Sequence, residues 1–236
     1  MLMKTPGPDE HIPLVNAMPR QKRVADVTAG DYFPTAPYLT LALLAVERFE
    51  GTIGEFACGQ GHIAETIRQT LPNQVVASDK FDRGFGVPGI AIEEILKAKG
   101  EGAIDNTITN PPYHRSIIHE FIDTSIRLSR RKCALLMRLA ALSGMRKYKL
   151  YQEHPLARVY IFSSRPTFVA NRVIHDGDLI DGKRVEGTVE YAWFVWDKAH
   201  VGEPNIRWIS PQLMESLQNR SREITALIEG RYALAA

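Results

Sequence analysis

Thr52-Ile53-Gly54-Glu55-Phe56-Ala57-Cys58-Gly59-Gln60-Gly61-His62 decides the fold. Residues 52–57 read as a short strand, and Ile63 to Thr70 as the helix that follows it. A strand that turns directly into a helix through Gly59 and Gly61 lets the backbone pass close under a ligand, and the helix start offers N–H groups to a carboxylate. The stretch lacks the third glycine of the dinucleotide fingerprint and the lysine of a phosphate loop, which argues against both of those ligands.

Outward from this junction, strand and helix keep alternating. Gln74 to Ser78 reads as a strand, Ile92 to Lys99 as a short helix, Asp105 to Thr109 as a strand, Ser116 to Leu128 as a helix and Cys133 to Leu139 as an apolar strand. That order predicts an α/β, Rossmann-like fold, with a mostly parallel sheet of about seven strands and helices on both faces. Arg158 to Ser163 and Tyr191 to Trp196 follow as two more strands with no helical pattern between them. They are expected to pair antiparallel, a hairpin that ends the sheet. Ahead of the glycine stretch, the turn-rich Asp31-Tyr32-Phe33-Pro34-Thr35-Ala36-Pro37 feeds a helix over Tyr38 to Val46. Residues 210 to 230 carry Leu213, Leu217, Ile224 and Leu227 at helical spacing. The chain therefore divides into an arm over 1–28, a main domain over 29–200 and a helical segment over 201–236.

Bulk composition narrows the function classes. With 236 residues and 44% hydrophobic content the chain can bury one full core. Its formal net charge is only +2, so a nucleic-acid surface has to come from local clusters of Lys and Arg. Cys58 and Cys133 both lie in apolar stretches and read as buried free thiols, which fits a cytoplasmic setting. Prolines at 6, 8 and 13 interrupt the opening residues, so no signal peptide or membrane span is expected. No metal is called for.

Two further features bear on chemistry. Asp79 ends the strand after the glycine loop, where an acid can accept from two ribose hydroxyls. Asn110-Pro111-Pro112-Tyr113 follows the strand Asp105 to Thr109. Two prolines hold that backbone stiff, so the Asn110 amide oxygen and the Pro111 carbonyl can both accept from one amino group while Tyr113 offers a ring to the planar group that carries it.

Glu55 to Gly61, Asp79 and Asn110-Pro111-Pro112-Tyr113, in this order on successive strand ends, resemble the class I S-adenosylmethionine methyltransferases that modify amino nitrogens. The segment Asp31 to Pro37 is similar to the cofactor-side motif of N6-adenine DNA methyltransferases of the small phage and prophage type, and the motif order matches their γ arrangement. The resemblance spans about residues 30 to 197. It implies S-adenosylmethionine as cofactor, with Phe33, Pro34, Thr35, Glu55, Ala57, Cys58, Gly59 and Gly61 on its methionine side. It further implies Asp79 on the ribose, Lys80 or Phe81 beside the adenine, and Asn110 near the transferred methyl. Relatives carry Asp-Phe-Leu to grip the cofactor adenine; here Glu94-Ile95-Leu96 is the nearest equivalent, with Glu94 and Ile95 taking that role.

The substrate implied is double-stranded DNA, with adenine N6 the target, and the base must leave the stack to be reached. Adenine in RNA, a glutamine side chain in a protein, or cofactor binding without catalysis are the alternatives. His114 is expected to be a loop or contact residue and not a base. Residues 164–188 are the candidate recognition hairpin, with Arg165, Arg172, Lys183 and Arg184 as its nucleic-acid contacts. Arg127, Arg130, Arg131 and Lys132, and then Arg146, Lys147 and Lys149, read as exposed helix ends.

Overall fold

The computed structural model describes residues 32–233 apart from positions 181 and 186, so Asp31 and the arm expected over 1–28 lie outside the described residues. In chain order its elements begin with helix α1 (Pro37–Val46), strand β1 (Ile53–Glu55), helix α2 (His62–Arg68), strands β2 (Val75–Asp79) and β3 (Val87–Pro88), and helix α3 (Ile92–Lys99). Strand β4 (Ile104–Thr109), helix α4 (Ile118–Leu128), strand β5 (Ser129–Arg138), a 3-10 turn (Leu139–Leu142), helix α5 (Met145–Glu153) and strand β6 (Arg158–Phe162) come next. The chain then runs through a small hairpin of β7 (Leu179–Ile180) and β8 (Lys183–Arg184), strands β9 (Tyr191–Asp197) and β10 (Asn205–Ile209), and helices α6 (Pro211–Ser216) and α7 (Gln218–Ala233).

Eight strands form one sheet in the order β10-β6-β9-β5-β4-β1-β2-β3. Every pairing is parallel except those of β9, which runs antiparallel between β5 and β6. The α/β, Rossmann-like reading therefore holds, including the antiparallel pairing of the two late strands, Arg158↔Val195 through Ile161↔Ala192.

Both faces of the central strands are covered, which is why β5 and β9 read as continuous apolar runs. Side chains alternate between two cores. Ala134, Leu136, Trp193 and Val195 pack with α1 and α2, while Cys133, Leu135, Met137, Ala192, Phe194 and Trp196 pack with α4 and α5. Tyr160, Lys132 and Arg158 surround the buried Glu47 carboxylate, and these donors hold it below the usual carboxylate range against the opposing effect of burial.

Three elements depart from the sequence reading. Residues 201–236 are not purely helical, because Asn205–Ile209 adds β10 as a parallel edge strand; four of its five residues are exposed, so it carries no apolar alternation. The C-terminal helix breaks into α6 and α7, and Ile224 and Ile228 face Leu41 of α1 while Leu227 is exposed. Of the two basic clusters read as exposed helix ends, Arg146, Lys147 and Lys149 do lie on a helix, α5, whereas Arg130, Arg131 and Lys132 lie in strand β5.

Candidate active site at the strand ends

Because β2, β1 and β4 are parallel neighbours, their carboxyl ends bring Asp79, the glycine loop and Asn110 to one edge of the sheet. Gly59 and Gly61 have φ of +54° and +84°, the left-handed region that favours glycine. Aromatic rings cover both. A Cβ on Gly59 would overlap the Tyr32 ring, and one on Gly61 would lie 2.6 Å from Phe85 ring atoms.

The loop's amide groups are largely used within the chain, contrary to the expectation that they stay free for a ligand. Gly59 N–H donates to Asp79 Oδ2 (2.8 Å), Gln60 N–H to the Tyr32 hydroxyl (3.1 Å) and Gly61 N–H to the Cys58 carbonyl (2.7 Å). Ala64 N–H, in the first turn of α2, donates to Glu55 Oε2 at 2.7 Å. For Ala64 the cause is Glu55: it is buried, burial pushes its carboxyl well above the usual range, and its oxygen needs a donor. Glu55 thus caps α2 from inside.

Tyr32 organises the roof of the loop. Its hydroxyl lies 3.0 Å from His62 Nδ1, and the Arg83 guanidinium stands 4.8 Å from its ring centroid. Burial pushes the Tyr32 hydroxyl up and the His62 imidazole down to about 4, so His62 is neutral at physiological pH. Cys58 and Cys133 are buried free thiols, both pushed up by burial. Asp79 accepts from Phe81 N–H at 2.9 Å through its other oxygen, and each carboxylate oxygen keeps further acceptor capacity. Lys80 is exposed beside it and Phe81 is half-buried.

At the end of β4, Asn110 joins residues far apart in sequence. Its Nδ2 donates to Thr35 Oγ1 (3.0 Å) and its Oδ1 accepts from the Tyr113 hydroxyl (2.6 Å), which also lies 2.8 Å from the Leu136 carbonyl. Burial pushes the Tyr113 hydroxyl well above its ordinary value. The Pro111 carbonyl accepts no hydrogen bond from any described residue. Around Tyr113 stand the Tyr191 ring at 6.1 Å, with Phe168 a further 4.7 Å from Tyr191, and the Arg138 guanidinium 5.5 Å from the Tyr113 centroid.

Thr35, with buried Pro34 beside it, therefore meets Asn110, while Phe33 is exposed. Ala57 packs in the small cluster with Phe56, Ile92 and Ile95, beneath the loop. Glu94 turns back to accept from Ala91 N–H at the start of its own helix (3.1 Å). His114 pairs with nearby Ser116 at 2.7 Å, a local loop contact as expected. In the 164–188 segment, Lys183 is exposed on strand β8, which also contains Arg184, Arg172 is exposed, and Arg165 pairs with Glu190 at 2.8 Å. Sequence reasoning did not single out Tyr32, Arg83, Phe85, Arg138, Phe168 or Tyr191. Only Tyr32 had a signal, its place in the turn-rich segment; the rest reach the site by folding from 20 to 80 residues away.

No family model matches the sequence, and no curated protein matches it. Among solved structures, the M protein of the type I restriction enzyme EcoKI superimposes with a TM-score of 0.49 at 12% identity, over 81% of this chain and 53% of that one. A protein assigned as a type I restriction-enzyme modification subunit from Vibrio vulnificus gives 0.48 at 12% identity, over 79% and 48%. A SAM-dependent methyltransferase from Archaeoglobus fulgidus gives 0.44 at 11% identity, over 70% and 95%. The chain spans about half the length of the two restriction-enzyme subunits.

Proposed function

We propose that the chain is an S-adenosylmethionine-dependent methyltransferase that acts on the N6 amino group of an adenine swung out of DNA. The observation that carries this reading is the pair of acceptors at the end of β4, Asn110 Oδ1 and the unpartnered Pro111 carbonyl, held beside the glycine loop of the adjacent strand. Thr35, from the segment ahead of α1, holds the amide from its other side.

The residues present fit the cofactor. Gly59 and Gly61 hold a backbone shape that only glycine takes without strain, and Asp79 retains lone pairs for hydroxyl donors. Phe33, Pro34, Thr35, Ala57, Gly59 and Gly61 would border its methionine part, Asp79 its ribose, and Lys80 and Phe81 its adenine. Bound there, it supplies an electrophilic methyl on a sulfonium.

An adenine amino nitrogen is a weak nucleophile because its lone pair is delocalised into the ring. Two acceptors on its hydrogens favour a tetrahedral nitrogen, and they would stabilise the positive charge that grows there as the nitrogen takes the methyl and the methyl–sulfur bond breaks, the bonding pair staying on sulfur as a neutral thioether. The proton then leaves to solvent. No side chain needs to act as a tuned base. Tyr113, with Tyr191 and Phe168 behind it, gives the extruded base an aromatic wall, and stacking of ~1–3 kcal/mol offsets part of the cost of extrusion.

Labelled methyl transfer to DNA, RNA and cell-extract protein in parallel tests the reading. Label should appear in DNA as N6-methyladenine, and Asn110→Ala should lower the single-turnover rate by a factor on the order of 10²–10³ with cofactor affinity intact. Label confined to RNA or protein would replace the substrate, and a normal rate in Asn110→Ala would remove the mechanism.

A further inference from the structure

Residues 110–119 and 138–152 carry Arg115, Arg138, Arg146, Lys147 and Lys149 together with His114 and His119, and contain no Asp or Glu. In a chain whose net charge is only +2, this is a concentrated positive surface. None of those five cations forms an ion pair with any described residue, whereas Arg127, Arg130, Arg131, Lys132, Arg158, Arg165 and Arg231 all do.

The two stretches lie together in the fold. Arg138 ends β5 over the Tyr113 ring, the 3-10 turn leads from it into α5, and Tyr151 ties α5 back to the turn through its hydroxyl on the Ala141 carbonyl (2.9 Å). Leu150 and Tyr151 of α5 share a core cluster with Ile118 and Ile122 at the start of α4, and His154 just after α5 lies 2.8 Å from Asp123, so α5 packs beside the residues that follow Asn110-Pro111-Pro112-Tyr113. Helix α5 packs inward through Leu150 and Tyr151 and leaves Met145, Tyr148, Arg146 and Lys149 exposed. The Lys147 ammonium nitrogen has no hydrogen-bond partner.

Resting on the proposed DNA substrate, we infer that α5 and the turn before it are the platform for the phosphate backbone of the duplex next to the extruded base. Arg138, Arg146 and Lys149 contact phosphates, and Met145 and Tyr148 lie against sugars. Cations interleaved with apolar side chains, with carboxylates only at the far end of α5 (Glu153) and in the first turn of α4 (Glu120), match a polyanion with an apolar sugar edge. Contacts of this kind position the duplex and carry no base sequence. The 164–188 segment, with Arg165 already paired to Glu190, then adds less to affinity.

The test is the salt dependence of binding to a duplex oligonucleotide by the full chain with cofactor present. Each phosphate contact contributes about 0.9 to the slope of log affinity against log salt. Arg146→Ala with Lys149→Ala should lower the slope by about 2 and weaken binding on the order of tenfold or more at moderate salt. Cofactor affinity and the single-turnover rate at saturating DNA should stay at the wild-type level. Arg146→Lys with Lys149→Arg should restore the slope, which separates charge from any effect on folding. A wild-type slope in the double alanine variant, with DNA still methylated, would overturn the platform and leave the proposed function standing. A wild-type protein that neither binds nor methylates DNA would overturn both.

Discussion

Gly59→Ala is the sharpest perturbation of the candidate cofactor loop. Its backbone is left-handed at φ +54°, which costs an L-residue about 1–2 kcal/mol, and the added methyl would also overlap the Tyr32 ring. Moving that ring gives up the Gln60 N–H bond to the Tyr32 hydroxyl at 3.1 Å and the His62 contact at 3.0 Å, each with a net contribution of about 0.5–1.5 kcal/mol. The sum is roughly 2–5 kcal/mol, or a fall in melting temperature of about 5–15 °C for a domain of this size. If the overlap is the cause, Gly59→Ala should cost only about 1–2 kcal/mol when placed in a Tyr32→Ala background. The double-mutant cycle should then show a coupling of about 1–3 kcal/mol. Chemical denaturation of the four proteins measures it, with cofactor titration as a second readout. A coupling near zero, or a single variant as stable as wild type, would refute the placement of Tyr32 over the loop.

Asp79→Ala should leave the Gly59 and Phe81 N–H groups unpaired, costing about 1–3 kcal/mol each, and should weaken cofactor binding; Asp79→Asn should fall between. Calorimetry and thermal melts would follow both, and wild-type behaviour of the alanine variant would count against the assignment. Tyr113→Phe should keep the aromatic wall and hold methyl transfer within a few-fold of wild type, while losing about 0.5–1.5 kcal/mol of stability from the buried hydroxyl. A rate as low as that of Asn110→Ala would contradict the division of roles between the two residues. His62 is lowered from 6.5 to about 4 by burial, so the unfolded chain binds a proton that the folded one refuses. Its contribution to stability is complete above pH 6.5 and is lost, up to about 3 kcal/mol, as pH falls toward 4. His62→Asn should flatten that part of the stability-against-pH curve, and an unchanged curve would mean that the imidazole is not shielded from protonation.

The parts legible in the sequence are those where local pattern and tertiary role coincide. Leu135-Leu136-Met137 and Trp193-Phe194-Val195 are apolar throughout because both faces of their strands are covered, and that signal survives without knowledge of the partner strand. Gly59, Gly61, Asp79 and Asn110 could be read because each ends a strand, and parallel neighbours bring such ends together. The rest depended on contacts between distant positions. Glu55 and the loop amides read locally as ligand-facing, but Ala64 N–H closes on the buried carboxylate. Arg165 reads as a free cation because Glu190 lies 25 residues on, and only the basic end of α5 is legible because its apolar contacts are confined to Leu150 and Tyr151. Strand β10 borrows its strand character from β6 alone.

The antiparallel strand β9 also sets the order in which the chain can mature. Its two sheet neighbours, β5 and β6, are both made earlier, and it is buried along almost its whole length. As the polypeptide emerges from the ribosome, β1, β2, β4 and β5 can already associate, but the apolar edge of β5 stays bare until residue 197 is available to close the gap. During that interval Cys133 to Met137 is an open sheet edge of the kind that recruits foreign strands. The edge is closed only when β9 slots between β5 and β6.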